Sequence, residues 1–143
     1  MPPPCRILYV DDDKDSRELV GTMLHFADPS YEVAAIESSE EAISLMAKQS
    51  FDLFIIDYAL PEITGVELCR YIRKNNPDKP IMFLTAMAYP ADREEGLKAG
   101  ADEYLVKPND VERIIETVNR LLDKSPSANC KTPNKSKVNK GIY

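Results

Sequence analysis

The sequence predicts an α/β fold in which a parallel five-stranded sheet is covered by helices on both faces, a three-layer sandwich. Short runs rich in β-branched and aromatic residues alternate with stretches of helical period along the chain, the pattern of repeated βαβ units. One of these runs, Leu53 to Ile56, is apolar at consecutive positions, as a central strand buried on both faces must be. A third observation concerns polarity: Asp11, Asp12, Asp13, Asp57, Thr85 and Lys107 stand directly after such runs, so polar side chains gather at one edge of the predicted sheet.

The elements follow in order. Residues 6–10 form a continuous apolar run and predict the first strand, and Leu19, Val20, Met23, Leu24 and Phe26 recur at helical spacing for the first helix. After the turn at Asp28, Pro29 and Ser30, residues 31–36 predict a second strand. Ser38 or Ser39 can then cap a helix that buries Ala42, Ile43, Leu45 and Met46. The central strand at residues 53–56 ends at Asp57. Val66, Leu68, Cys69 and Ile72 give a helix over residues 64–74 one buried face, and it stops near Asn75, Asn76 and Pro77. Pro80 opens the fourth strand at residues 81–84, followed by a short polar helix ending before Gly100. Residues 104–106 make the last strand, and Asp110 can cap a helix with Val111, Ile114, Ile115, Val118, Leu121 and Leu122 turned inward.

The 143 residues, 43% of them apolar, suit one globular domain with a real core. The folded region is expected over residues 5–123. Residues 124–143 are rich in Ser, Pro, Asn and Lys, with almost nothing apolar to bury, and predict a basic, disordered tail or linker. That stretch holds Lys124, Lys131, Lys135, Lys137 and Lys140 and no acid, so the net charge of −6 conceals a body of about −11. Such a body repels nucleic acid and argues against direct binding to it. No apolar run approaches the ~20 residues of a membrane span, and the first residues lack a secretory pattern, so a cytoplasmic location is expected. Cys5, Cys69 and Cys130 are odd in number, widely spaced and unlike metal ligands, so reduced thiols are expected.

In open parallel α/β sheets, ligands bind outside the carboxyl ends of the strands. Carboxylates crowded there resist joint ionisation until a cation arrives, and hard oxygen ligands are those Mg²⁺ prefers. Each feature taken singly has a plain structural explanation. Asp runs cap helices or face water, a strand can end in Asp, and a Lys-Pro pair can be only a turn. Their convergence on one edge from four strands favours a magnesium site.

At these residues the sequence resembles the receiver domains of two-component response regulators. The likeness rests on ILYVDDD at residues 7–13, DLFIIDYALPEITG at 52–65, FLTA at 83–86 and AGADEYLVKP at 99–108, and covers all five βα units. It implies the flavodoxin-like strand order 2-1-3-4-5, an order for which receiver proteins are themselves a standard example. It further implies that Asp57 is the phosphoacceptor, with Asp12 and Asp57 binding Mg²⁺ directly, Asp11 binding it through water, and the Ala59 carbonyl as another ligand. Asp13 is then peripheral. Lys107 would pair with the phosphoryl oxygens, Thr85 would close on them, Tyr104 would act as the aromatic switch, and the Lys107–Pro108 peptide would be cis. Glu62 and Thr64 depart from the Gly and Asp common in the family loop, while Pro61 and Gly65 hold their places.

The implied function is a signalling switch rather than an enzyme acting on other substrates. A sensor histidine kinase or phosphotransfer protein would phosphorylate it, and a downstream effector would read helix four, strand five and helix five. A phosphorylation-dependent homodimer is also compatible with the resemblance, and no membrane role is implied. Ala59 and Met87 cannot hydrogen-bond water near the acyl phosphate, so slow self-dephosphorylation is expected. Two alternatives stand beside this reading: a receiver-fold interaction module that is never phosphorylated, and a haloacid-dehalogenase-like phosphatase using the Asp-x-Asp spacing of Asp11 and Asp13. The module would typically lack one of the acids, the Lys or the Thr, all of which are present. The phosphatase's cap insertion and later acidic pair are absent.

Overall fold

The computed structural model describes residues 3–125 and residue 130. Five strands, β1 (Arg6–Val10), β2 (Glu32–Ile36), β3 (Leu53–Ile56), β4 (Ile81–Thr85) and β5 (Glu103–Val106), alternate with helices α1 (Lys14–Ala27), α2 (Ser39–Met46), α3 (Gly65–Asn75), α4 (Pro90–Lys98) and α5 (Ile114–Lys124). The strands form one parallel sheet in the order β2-β1-β3-β4-β5, as the family resemblance implied. The Lys107–Pro108 peptide is cis.

Because successive strand side chains point to opposite faces, each strand feeds two cores. Ile7, Tyr9, Leu53, Ile55, Met82, Leu84 and Leu105 pack with Val20 and Leu24 of α1 and Val118 and Leu122 of α5. Leu8, Val10, Phe54, Ile56, Ile81 and Phe83 pack on the other face with Ala42 of α2 and Leu68, Cys69 and Ile72 of α3. All four residues of β3 are buried, which accounts for its unbroken apolar sequence.

Local chemistry sets the helix ends. Asp13 caps α1, Ser38 caps α2, and Thr64 with Glu67 makes a reciprocal capping box on α3. The departure from the family loop at Thr64 therefore serves the helix start. Glu62, the other departure, sits in the left-handed region at φ 62°, a conformation that glycine adopts more easily.

Three expectations are corrected. Leu19 and Phe26 do not join the core: they are 53% and 79% exposed, because α1 turns only its Val20 and Leu24 stripe fully onto the sheet. Asp110 does not cap α5; its carboxylate accepts from the Val106 N–H at 2.8 Å, and a 3-10 turn at Val111–Arg113 precedes the helix. Of the two serines offered for the α2 cap, Ser38 takes the role, and the buried Ser39 hydroxyl donates to the Ile63 carbonyl. Cys5 and Cys130 are not free thiols but a disulfide, with Cα atoms 4.8 Å apart. Their separation of 125 residues hid this pairing, which arises because Cys5 and Cys130 meet against the same core. Apart from Lys124, Ser125 and Cys130, the expected basic tail lies outside the described residues. Among the described residues no helix is long and apolar enough to cross a membrane.

Candidate functional site

The sheet order places β1 and β3 side by side while the chain leaves β1 toward β2, so a crevice opens between the carboxyl ends of β1 and β3. Ladder-like bonds continue past the strand ends and fix the backbone there. The Asp11 N–H donates to Ile36 O at 3.0 Å, the Asp57 N–H to Val10 O at 3.0 Å, and the Lys107 N–H to Thr85 O at 2.8 Å. Gly65 lets α3 begin against this floor, since a Cβ at that position would lie 2.1 Å from the Asp57 carbonyl oxygen.

Asp11, Asp12 and Asp57 converge, each offering a carboxylate oxygen within 4.8 Å of the others. Asp11 is fully buried, Asp57 nearly so at 8% exposure, and Asp12 is exposed. Burial pushes the Asp57 carboxyl above the ordinary carboxylate range, against a hydrogen bond from the Thr85 hydroxyl. Repulsion from Asp11 pushes it the same way, while Lys107 and the Ala59 N–H oppose. A buried acid raised by its neighbour is a site whose charge a cation would relieve. The donor set is all carboxylate, with no histidine or cysteine in the group, which fits a small hard divalent ion.

The Lys107 ammonium lies 2.8 Å from Asp11 Oδ2, 3.1 Å from the Ser16 hydroxyl and 4.0 Å from Asp57 Oδ2. Thr85 is fully buried and its hydroxyl oxygen accepts from the Met87 N–H at 3.2 Å. The Ala59 N–H donates to Asp57 Oδ1 at 3.2 Å. The sequence-predicted residues Asp11, Asp12, Asp57, Ala59, Thr85 and Lys107 are therefore brought together around one crevice. Asp13 is turned to the helix instead, where its carboxylate accepts from the Ser16 hydroxyl and N–H; those bonds hold its pKa below the usual carboxylate range.

Tyr104 lies one layer further on. Its ring is buried against Phe83, with centroids 5.4 Å apart, and its hydroxyl donates to the Met87 carbonyl at 2.8 Å. Gly96 of α4 makes this room, because a Cβ there would stand 3.0 Å from both the Phe83 and Tyr104 rings. The Tyr58 hydroxyl, next to Asp57 in the chain, donates to Glu95 on α4, tying the loop after β3 to that helix.

Tyr9 and Ser16 join the site only in three dimensions. Tyr9 is fully buried and its phenol donates to Asp11 Oδ2 at 2.7 Å. The sequence does hold a signal for it: a tyrosine inside an apolar strand needs a partner for its hydroxyl, and Asp11, two residues on, lies on the same strand face.

The family model described as the response regulator receiver domain matches residues 7–119. The response regulator MprA of Mycolicibacterium vanbaalenii is 40% identical over 119 residues, covering 83% of this chain and 51% of that protein. The MprA protein of Mycobacterium leprae is 38% identical over 117 residues, 82% of this chain and 50% of that protein. The chain thus spans about half the length of these curated relatives. Among solved structures, the BeF3-activated DrrB receiver domain superposes with a TM-score of 0.77 at 28% identity, covering 85% of this chain and 99% of that one. The response regulator TrrA from Thermotoga maritima, in complex with Mg²⁺-BeF, gives 0.73 at 37% identity, with 82% and 98% covered.

Proposed function

Since this chain belongs to the response regulator receiver domains, we propose that it takes a phosphoryl group from a histidine kinase or phosphotransfer protein onto Asp57, with Mg²⁺ held by Asp12, Asp57, the Ala59 carbonyl and, through water, Asp11. The observation that carries this reading is the meeting of Asp11, Asp12 and Asp57 within 4.8 Å of one another, with Lys107 beside them.

In the reaction an Asp57 carboxylate oxygen attacks the phosphorus of a phosphohistidine, the P–N bond breaks, and the imidazole leaves as an acyl phosphate forms. The bound ion supplies neutralisation of charge on the phosphoryl oxygens. Lys107 reaches the same oxygens with its ammonium, and Thr85, already hydrogen-bonded to Asp57, offers its hydroxyl to the new acceptor. The Asp57 N–H bond to the Val10 carbonyl and the bond from the Ala59 N–H to its carboxylate hold Asp57 in place, so little rearrangement of the nucleophile is needed.

The signal leaves through the segment after β4. Thr85 and Tyr104 grip the same residue, Met87, one through its N–H and the other through its carbonyl. A pull on Thr85 from the phosphoryl group is thus felt at Tyr104 and at the α4, β5 and α5 face, which a downstream effector would read. Ala59 and Met87 offer no side-chain group to orient water, so the phosphorylated form decays slowly by itself.

The test is incubation of the purified protein with acetyl phosphate and Mg²⁺, followed by intact mass measurement. One added phosphoryl mass that is lost in Asp57→Asn and in the absence of Mg²⁺ is the expected result. No modification would leave an interaction module, and modification persisting in Asp57→Asn would favour a nucleophile at Asp11.

A further inference from the structure

The Asp11 carboxylate is fully buried, and three donors satisfy it. Oδ1 accepts from the Asp13 N–H at 2.9 Å, while Oδ2 accepts both from the Tyr9 phenol at 2.7 Å and from the Lys107 ammonium at 2.8 Å. Lys107 is therefore engaged 2.8 Å from Asp11 but 4.0 Å from Asp57. Two of its three N–H donors are taken by Asp11 Oδ2 and the Ser16 hydroxyl, so drawing the ammonium toward a phosphoryl group on Asp57 loosens its hold on Asp11 Oδ2. A buried carboxylate oxygen stripped of its donor is strongly disfavoured. That penalty would act as a brake on the lysine.

We infer that Tyr9 is a positioning residue that takes over Asp11 Oδ2 when Lys107 moves to the phosphoryl group. Its phenol is already on that oxygen, so the acid keeps a donor throughout the transfer. The ring cannot swing away, since it is packed on all sides in the core between the sheet, α1 and α5. Arg17 steadies the same residue from behind, donating from Nη1 to the Asp11 carbonyl at 2.9 Å, and so keeps the carboxylate aimed at Tyr9 as the lysine departs. The phenol has its own reason to stay, because without Asp11 it would be a buried hydroxyl lacking its partner. The inference rests on the proposed function, and it assigns to this chain a residue that acts through Asp11 rather than on the phosphoryl group.

The experiment follows the amide NMR of wild type and Tyr9→Phe through two titrations, first with Mg²⁺ alone and then with beryllofluoride in saturating Mg²⁺. Tyr9→Phe keeps the ring and removes only the hydroxyl. It is expected to weaken beryllofluoride binding about tenfold, the effect of losing one hydrogen bond to a charged group. Mg²⁺ alone leaves Lys107 on Asp11, so the Mg²⁺ affinity of Tyr9→Phe is expected to stay within about twofold of wild type. Tyr9→Phe binding like wild type overturns the inference. An equal loss for Mg²⁺ and for beryllofluoride also overturns it, since that would mark Tyr9 as merely structural. Wild type that binds no beryllofluoride would overturn the proposed function and this inference together, whereas the first two outcomes leave the proposed function standing.

Discussion

Gly21 and Gly65 undergo the same substitution, glycine to alanine, with opposite expected outcomes. Gly21 lies inside α1, and an added Cβ would have nothing within 4 Å. Alanine there narrows the unfolded ensemble at no cost in the folded state, so Gly21→Ala should stabilise by roughly 0.4–1 kcal/mol. Gly65 opens α3, and its Cβ would lie 2.1 Å from the Asp57 carbonyl oxygen, 2.8 Å from the Tyr58 Cα and 2.9 Å from the Asp57 carbonyl carbon. The first contact is more than ~1 Å inside an optimal nonbonded separation. All three atoms are backbone, so no side-chain rotation relieves the overlap, and α3 must move away from the loop that presents Asp57. Overpacking ordinarily costs about 1–3 kcal/mol and more where the structure cannot yield. With the alanine gain set against it, a net loss of about 2–3 kcal/mol is expected. Urea denaturation reads both variants, as shifts in midpoint at unchanged slope. If Asp57 is the nucleophile as proposed, acetyl phosphate labelling of Gly65→Ala should also slow, since that carboxylate is displaced. A Gly65→Ala protein within about 0.5 kcal/mol of wild type, the ordinary range for neutral surface changes, would refute the steric argument.

Other consequences are open to measurement. Asp57 has its carboxyl raised above the ordinary 3.8 chiefly by burial, so the folded state holds that proton more tightly than the unfolded chain. Stability therefore falls as pH rises from 3.8 through the folded value, and Asp57→Asn should be more stable than wild type at neutral pH. That advantage should vanish on acidification toward 3.8, as urea midpoints across pH would record. The Cys5–Cys130 disulfide closes a sequence separation of 125 residues, so reducing it should cost up to about 5 kcal/mol on the chain-entropy account. A thermal melt unchanged by reductant would contradict it. Cys69 is fully buried and desolvation pushes its thiol up to about 11, so alkylation at pH 8 should find no reactive thiol in the native oxidised protein. Denaturation without reductant should expose that one thiol, and with reductant all three cysteines.

The strands were legible in the sequence because parallel strands buried on both faces must be apolar at every position, which sets β3 and β4 apart from helices of amphipathic period. The site was legible for a related reason. Polar residues directly following such runs can only lie at the carboxyl edge of a parallel sheet, so Asp11, Asp12, Asp57, Thr85 and Lys107 had to share one edge. Helix faces were less certain. Leu19 and Phe26 fit the helical period as well as Val20 and Leu24 do, and only the docking angle of α1 on the sheet chose between them. Asp110 was equally ambiguous, since a carboxylate before a helix can cap it or reach back to the strand, and the Val106 N–H won.

Sequence alone determined the layer architecture, the strand boundaries to within a residue or so, and the set of polar groups at the edge, because periodicity and element order are local properties of the chain. Tertiary structure decided which of those groups touch. That Lys107 rests on Asp11 rather than Asp57, and that Cys5 meets Cys130, are facts of distance between residues 96 and 125 positions apart. Spacing along a chain carries no record of such distances, because only the packing of helices on both faces of the sheet fixes them.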